Sequence, residues 1–563
     1  MRTRQELYIG TGVVYTCELE QCPCCHKSLR IAYTGKFKTV QTMEERLRIA
    51  QRAKHCVNPD CALYAGAWGS VKWRQIAPVS CSYGYDVIAQ IGWQRQTLQR
   101  PFAVIHEDLR PQMGICESQV RGLYHYRYLP LLACHERQPW ERLKGVAEQA
   151  GLILTLDGLA PEGGEPQLWL VRELLSGATL RCGWMSQQDQ AAFAAFLRPI
   201  AEMGLPVSAV LSDKQSGLLP AIAEVFPQAK HALCQIHYLR NAAAPVAEAD
   251  EAMKVRLRQG VRETIGEWIR QEKGEEQGVL SVTGMLPSPV EAQPKAQPIS
   301  SAEEASARRD AILRDLCRRI RYLLTLKGNP PLRLAGLEMY ARLKEVEQCM
   351  QRLMSHQTTP QLLALQQGLH TSLNSVQATY DLVREAGDWL EQISDLLDPE
   401  GKPLRSGHQV RQELFALLDQ IQSTRTLDPF LRSSFDSIQK TTLNYAPGLF
   451  HCYDLPGLPR TNNDRESEFR DLYRRLLRTT GQRGLTRRII QREGAWELLP
   501  RPETLQVTIQ ALSQIAHEDY QIEHQRMLQH RKRFRLHTRS AQQSQAQLQR
   551  LVKDWTALPP DSS

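Results

Sequence analysis

The sequence predicts an α/β core interrupted by a long all-α insertion, with a cysteine-rich module and a pair of helices ahead of it. Three observations carry this. Short β-favouring runs lie between residues 151 and 234, 3.6-residue apolar periodicity fills 240 to 449, and six of the 14 cysteines fall within the first 61 of 563 residues. Lys and Arg total 70 against 61 Asp and Glu, a net charge of +9 that matters only where it concentrates. The opening MRTRQELYIG has no apolar signal core, and no run of about 18 apolar residues occurs, so a soluble, cytoplasmic protein with no membrane partner is expected.

The cysteines come first. Cys22 and Cys25 form a CxxC knuckle, and Cys56 and Cys61 follow some 30 residues later. Two short thiolate loops at that separation suit a tetrahedral structural Zn²⁺ site, which would hold together a module with little apolar core. Cys17, Cys24 and His55 are spare ligands, and unligated reduced thiols are the alternative.

From Tyr83 to Cys134 the text is helical. Phe102, Ile105 and Leu109 mark one helix, Met113-Gly114 a break, and Ser118 a cap for a second helix carrying Val120, Leu123, Tyr124 and Tyr128. This reads as helix-turn-helix, with Gln119, Arg121, His125 and Arg127 facing solvent or a DNA groove. Any two helices joined by a glycine turn look similar.

The runs LILTLDGLAP, PQLWLVREL and GATLRCGWM follow, separated by Gly and Pro turns. A helix over Gln187 to Met203, the strand VSAVLSD, a helix over Gly217 to Val225 and a strand around KHALC complete the order expected of a ribonuclease H-like core. Asp157 ends the first strand and Asp213 the fourth, where sites on open sheets gather. Beyond Arg240, DAILRDLCRRIRYLLTL, GLEMYARLKEVEQCMQRLM and residues 360 to 397 are periodic helices, with a Pro/Gln-rich linker at 277 to 301. From His524 to Lys553 eight Lys or Arg occur with no Asp or Glu, which suits an anionic polymer or a solvated basic helix.

Within RTNNDRESEFRDLYRRLLRTTGQRG, a helical wheel places Glu466 inside the arc of Phe469, Leu472, Tyr473, Leu476 and Leu477. Arg470, Arg474 and Arg478 form a neighbouring stripe that would receive a DNA backbone, and Glu468 points away. Asn463-x-x-Glu466 also makes a capping box, and Arg470 at i+4 could pair with Glu466. Neither excludes a metal. Three placed carboxylates suit two hard divalent cations about 4 Å apart, as in phosphoryl transfer.

DGLAPEGGEPQLWLVRELLSG, SDKQSGLLPAIAEVFPQAKHALCQIHYLRN and RTNNDRESEFRDLYRRLLRTTGQRG resemble the three catalytic blocks of bacterial DDE transposases related to the Mutator-like superfamily. Cys234-x-x-His237 and TNN-x-x-E-x-x-F are the most specific matches. The resemblance implies that Asp157, Asp213 and Glu466 bind two Mg²⁺ (or Mn²⁺), cut at transposon ends and join the 3′-OH to target DNA. It also implies a homodimer or higher oligomer that synapses two ends, and a nucleoid-associated place in the cell. Cys234 and His237 are expected to have a structural or DNA-contact role. Lys214 could touch phosphate or face solvent in a turn, and Trp268 and Trp389 could stack on bases or sit in the core.

The expected organisation is therefore a zinc-binding module over 1–75, a helix-turn-helix domain over 76–145 and the first part of a ribonuclease H-like core over 146–240. A helical insertion over 241–450 (linker about 273–302), the last part of the core over 451–500 and a basic helical tail over 501–563 complete it. The competing functions are a non-catalytic DNA-binding regulator and a nuclease that never joins strands.

Overall fold

The computed structural model describes residues 11–137, 140–160, 166–283, 302–331, 333–424, 428–481, 486, 504–532 and 540–557. The chain divides into two compact units. One comprises Met1–Val210, Gln215–Ala229 and Asn462–Ser563, the other Leu211–Lys214 and Lys230–Thr461.

The first unit opens with a small sheet of β1 (Thr11–Thr16), β2 (Arg30–Thr34), β3 (Lys38–Gln41), β4 (Arg46–His55) and β5 (Ala67–Trp68). The long β4 is its centre, parallel to β1 and antiparallel to β2, β3 and β5. Within its sequence RLRIAQRAKH, Ile49 packs with Val40 and Ala77 beside α1 (Val71–Ile76). Its arginines and lysine dilute the apolar signal, so sequence reading assigned no strands here.

Next come α2 (Tyr85–Gln96), α3 (Phe102–Met113), α4 (Glu117–Leu123), a π-helical turn (Tyr124–Tyr128), α5 (Leu129–Arg137) and α6 (Trp140–Ala150). The expected apolar set Phe102, Ile105, Leu109, Val120, Leu123, Tyr124 and Tyr128 forms one core with α2. Helix α3 stops at Gly114, whose φ of 59° is left-handed and favours a residue without a Cβ. The second helix starts two residues earlier than Ser118 would have it. Cys116 is the cap, and its backbone N–H donates to Gln119 Oε1 at 3.1 Å.

An antiparallel meander of β6 (Leu152–Leu159), β7 (Gln167–Glu173) and β8 (Thr179–Met185) follows, with β9 (Val207–Ser212) beside β6. Leu154, Leu156, Trp169 and Val171 face Phe193 and Leu197 of α7 (Gln190–Ala201) and Ile222 of α8 (Leu218–Val225). Asp157 lies two residues before the end of β6, where a strand end was expected.

The second unit holds the last two residues of β9, then β10 (Lys230–Leu233), α9 (Gln235–Ala242), α10 (Ala244–Thr283), α11 (Ala302–Leu323) and α12 (Ala335–His356). It continues through α13 (Pro360–Asn374), α14 (Gln377–Leu397), α15 (Gly407–Thr424) and α16 (Pro429–Leu449). Its helices build two apolar cores, one around Phe435, Leu414 and Trp389, the other around Leu257, Leu343 and Leu369. Residues 360 to 397 break at Ser375 and Val376 into two helices. Trp389 is 6% exposed and Trp268 packs against the second core, so the core reading of both tryptophans holds. Most of the linker, residues 284–301, lies outside the described residues.

The chain re-enters the first unit with α17 (Asn463–Thr480), α18 (Leu505–Ser513), α19 (His517–Lys532) and α20 (Ala541–Thr556). Leu512, Tyr520 and Met527 join the core built by α2 to α5. A tail predicted as a separate segment therefore completes an earlier core. No helix among the described residues is long and apolar enough to cross a membrane.

Candidate functional site

The four predicted cysteines come together. Sγ of Cys22 lies 3.8 Å from that of Cys61, and Sγ of Cys25 lies 3.7 Å from that of Cys56. All four sulfurs fall within 4.8 Å of one another, and Cys17, Cys24 and His55 are not part of the group. A tetrahedral ion with metal–sulfur bonds of about 2.3 Å requires sulfurs about 3.8 Å apart. The backbone N–H of Lys27 pulls the Cys25 thiol down to about 6, with burial opposing it and Cys56 assisting. Leu63 N–H donates to Cys61 Sγ at 3.3 Å, although burial and the neighbouring thiols push that thiol up to about 12. Four sulfurs at this spacing are a donor set that fits a soft cation.

In the first unit, the sheet and α17 converge on Asp157. The β6–β7 register pairs Asp157 with Leu170 and Leu159 with Leu168, so these residues share one face. Leu472 and Leu476 of α17 pack on Leu159, Leu168 and Leu170 of that face. The helix is pinned at its start. Asn462, 4% exposed, donates from Nδ2 to Leu156 O at 3.1 Å, one residue before Asp157. Gly158 is required next door, because a Cβ there would meet the Trp169 ring at 2.9 Å.

This arrangement corrects the capping box. The helix begins at Asn463 with Asn462 as its cap residue, so Asn463 is the first helical residue and Glu466 the fourth. Asn462 holds the strand instead of closing a local cap. The wheel holds where side chains are described: Leu472 and Leu476 are buried, and Arg470, Arg474 and Arg478 exposed. Arg475 departs from it, being 6% exposed.

In the second unit, Asp213 is the first residue beyond β9. Burial pushes its carboxyl above the usual range, against the pull of nearby His237 on α9. Its Oδ1 is buried with no hydrogen-bond partner among the described residues. A buried, half-satisfied carboxylate is costly unless a cation or donor meets it, so it fits a hard-metal ligand. Cys234 is the buried cap residue of α9, and its N–H donates to Ser212 O at 3.0 Å. That burial is in keeping with the structural role expected of it. Lys214 is half-buried, and its Nζ donates to Asn444 O at 2.7 Å.

Two of the four expected groove-facing residues turn inward. His125 is 7% exposed, packed edge-on against Phe102 and Tyr124. Arg127 is half-buried and donates to Tyr520 Oη at 3.0 Å and Ser80 O at 3.2 Å. The π-helical turn is the reason: its wider repeat carries Tyr124 and His125 both to the core, which a 3.6-residue wheel does not anticipate. Gln119 and Arg121 stay exposed, Gln119 engaged at the helix start and Arg121 in an ion pair with Glu117 at 2.7 Å.

Residues 178–263, from β8 into α10, match the family described as Transposase, Mutator family. The matched stretch contains Asp213, Cys234 and His237 but neither Asp157 nor Glu466. No curated protein matches the chain. Among solved structures, the Drosophila P element transposase strand transfer complex aligns at 11% identity over 72% of this chain and 99% of that one. Its TM-score is 0.23, a likeness from which nothing transfers. Residues 178–263 are thus similar to the Mutator-family transposases, the family that the chain's motifs resemble.

Proposed function

We propose that the chain is a DNA transposase that cuts at the ends of its element and joins the cut 3′-OH to target DNA. Asp157, Asp213 and Glu466 are its metal ligands on a ribonuclease H-like core. The observation that supports this best is the bond from Asn462 to Leu156 O. It ties the start of the helix bearing Glu466 to the strand bearing Asp157, although more than 300 residues separate them in sequence.

Two divalent cations, Mg²⁺ or Mn²⁺, would supply positive charge to the attacking and leaving oxygens. The chain's own contribution is placement. The β6 strand fixes Asp157, β9 delivers Asp213, and α17 presents Glu466 one turn in from its positive end, where acidic groups are favoured. Arg470, Arg474 and Arg478 receive phosphates along the exposed side of α17. Cys22, Cys25, Cys56 and Cys61 hold a structural Zn²⁺, and α3 with α4 forms the helix-turn-helix that docks on the ends, through Arg121 and Gln119. The domain boundaries follow the sequence reading, with the tail reassigned to the core of the helix-turn-helix. Synapsis of two ends requires at least a dimer acting on DNA in the nucleoid.

The test uses duplexes carrying the DNA that flanks the gene, intact or pre-cut, with Mg²⁺. Nicking at the end and joining of the pre-cut 3′-OH are the expected results. Binding without cleavage would favour a regulator, and cleavage without joined product a nuclease.

A further inference from the structure

The turn carrying Asp213 is anchored on both flanks inside the second unit, and neither anchor uses its carboxylate. On one side Ser212 Oγ donates to Asp213 O at 2.8 Å, and His231 Nε2 lies 2.8 Å from the same Oγ. Because the serine proton is committed to the carbonyl, His231 must donate to Oγ through a protonated Nε2. On the other side Lys214 Nζ donates to Asn444 O at 2.7 Å and sits 5.2 Å from the centre of the Tyr445 ring. Asn444 and Tyr445 belong to α16, the last helix of the insertion.

Pro447 lies inside α16 and has no N–H to donate to Leu443 O, one residue before the carbonyl that Lys214 meets. Tyr445 is fixed in turn, since Asn241 Nδ2 of α9 donates to its Oη at 2.7 Å.

We propose that Lys214 and Tyr445 are positioning residues: through them the last helix of the insertion sets the placement of Asp213 as a metal ligand. The inference rests on the proposed function. It gives the insertion a role in the reaction centre and takes Lys214 away from the phosphate backbone. Residues that hold a ligand without touching the metal typically change affinity or activity about 10- to 100-fold when replaced.

The test measures Mn²⁺ binding to the full chain by the EPR signal of free Mn²⁺, alongside Mn²⁺-supported cleavage and the melting temperature. Asp213→Asn should abolish one class of Mn²⁺ sites. Lys214→Met should weaken that class and slow cleavage at saturating DNA, each about 10-fold, with end binding retained. Lys214→Arg should restore both to within about 2-fold of the parent, because it keeps the charge and the donor. Tyr445→Leu should act in the same direction, and it replaces Lys214→Met as the readout if that variant does not fold. If Mn²⁺ affinity and cleavage survive both replacements while Asp213→Asn abolishes them, the positioning role is overturned and the proposed function stands. A parent chain with no Asp213-dependent Mn²⁺ binding and no cleavage overturns both. A melting temperature that falls without any change in Mn²⁺ affinity overturns the positioning role in favour of a structural one.

Discussion

The cysteine cluster and the proposed carboxylate ligands are specified by the sequence in opposite ways. The cysteines lie within 40 residues of one another, with both knuckles presented by local turns. The proposed carboxylate ligands come from three distant segments: Asp157 from β6, Asp213 from the turn whose Ser212 and Lys214 are hydrogen-bonded, and Glu466 from α17, whose Leu472 and Leu476 pack on the sheet. A local centre is fixed by spacing, whereas a dispersed one depends on how the chain returns. The first should fail by unfolding and the second by losing chemistry.

The largest expected effect is on the cysteines. Cys56→Ser should lose about one zinc per chain by metal analysis and melt the module, because structural zinc contributes on the order of 10 kcal/mol in small domains. DNA cleavage would fall only as far as end binding falls. The carboxylates should behave in reverse. Asp157→Asn, Asp213→Asn and Glu466→Gln should each lower the cleavage rate by at least about 1000-fold, a loss of about 4 kcal/mol of transition-state stabilisation, with an unchanged melting temperature.

A smaller effect is expected one step away. Asn462→Ala leaves Leu156 O without its donor and should cost about 1–3 kcal/mol, with slower cleavage because α17 loses its pin. Circular dichroism melts and single-turnover rates would show both. If Asn462→Ala is silent in both, the link between α17 and β6 carries no energy and the contrast weakens.

The smallest effect concerns pH. Burial, then the charge of His451, pushes His231 down to about 4 from the ordinary histidine value of 6.5. The unfolded chain therefore binds a proton that the folded one refuses between about pH 6.5 and 4, and stability falls as pH drops through that window. His231→Gln keeps a donor for Ser212 and should flatten this part of the stability profile. An unchanged slope would assign the loss to other groups.

Legibility in the sequence follows the same contrast. The four clustered cysteines, the strands of the meander and the buried arc of α17 are local patterns, and local patterns survive in one dimension. A 3.6-residue wheel turns His125 to solvent because it has no place for a π-helical turn, and the cap at Asn462 is hidden from the sequence because its partner lies more than 300 residues upstream. Leu512, Tyr520 and Met527 looked like part of a basic tail, since nothing nearby shows that they complete the core around Tyr124. The anchors of Asp213 were invisible for the same reason, as Lys214 and Asn444 meet only in the fold.

The most direct test of the central claim compares two glutamates two residues apart on α17. Single-turnover cleavage of an end-containing duplex in Mg²⁺ should be abolished by Glu466→Gln and nearly unaffected by Glu468→Gln, with equal end binding. Cleavage that survives Glu466→Gln, or that is lost with Glu468→Gln instead, would contradict the assignment of the third ligand and the carboxylate centre built on it.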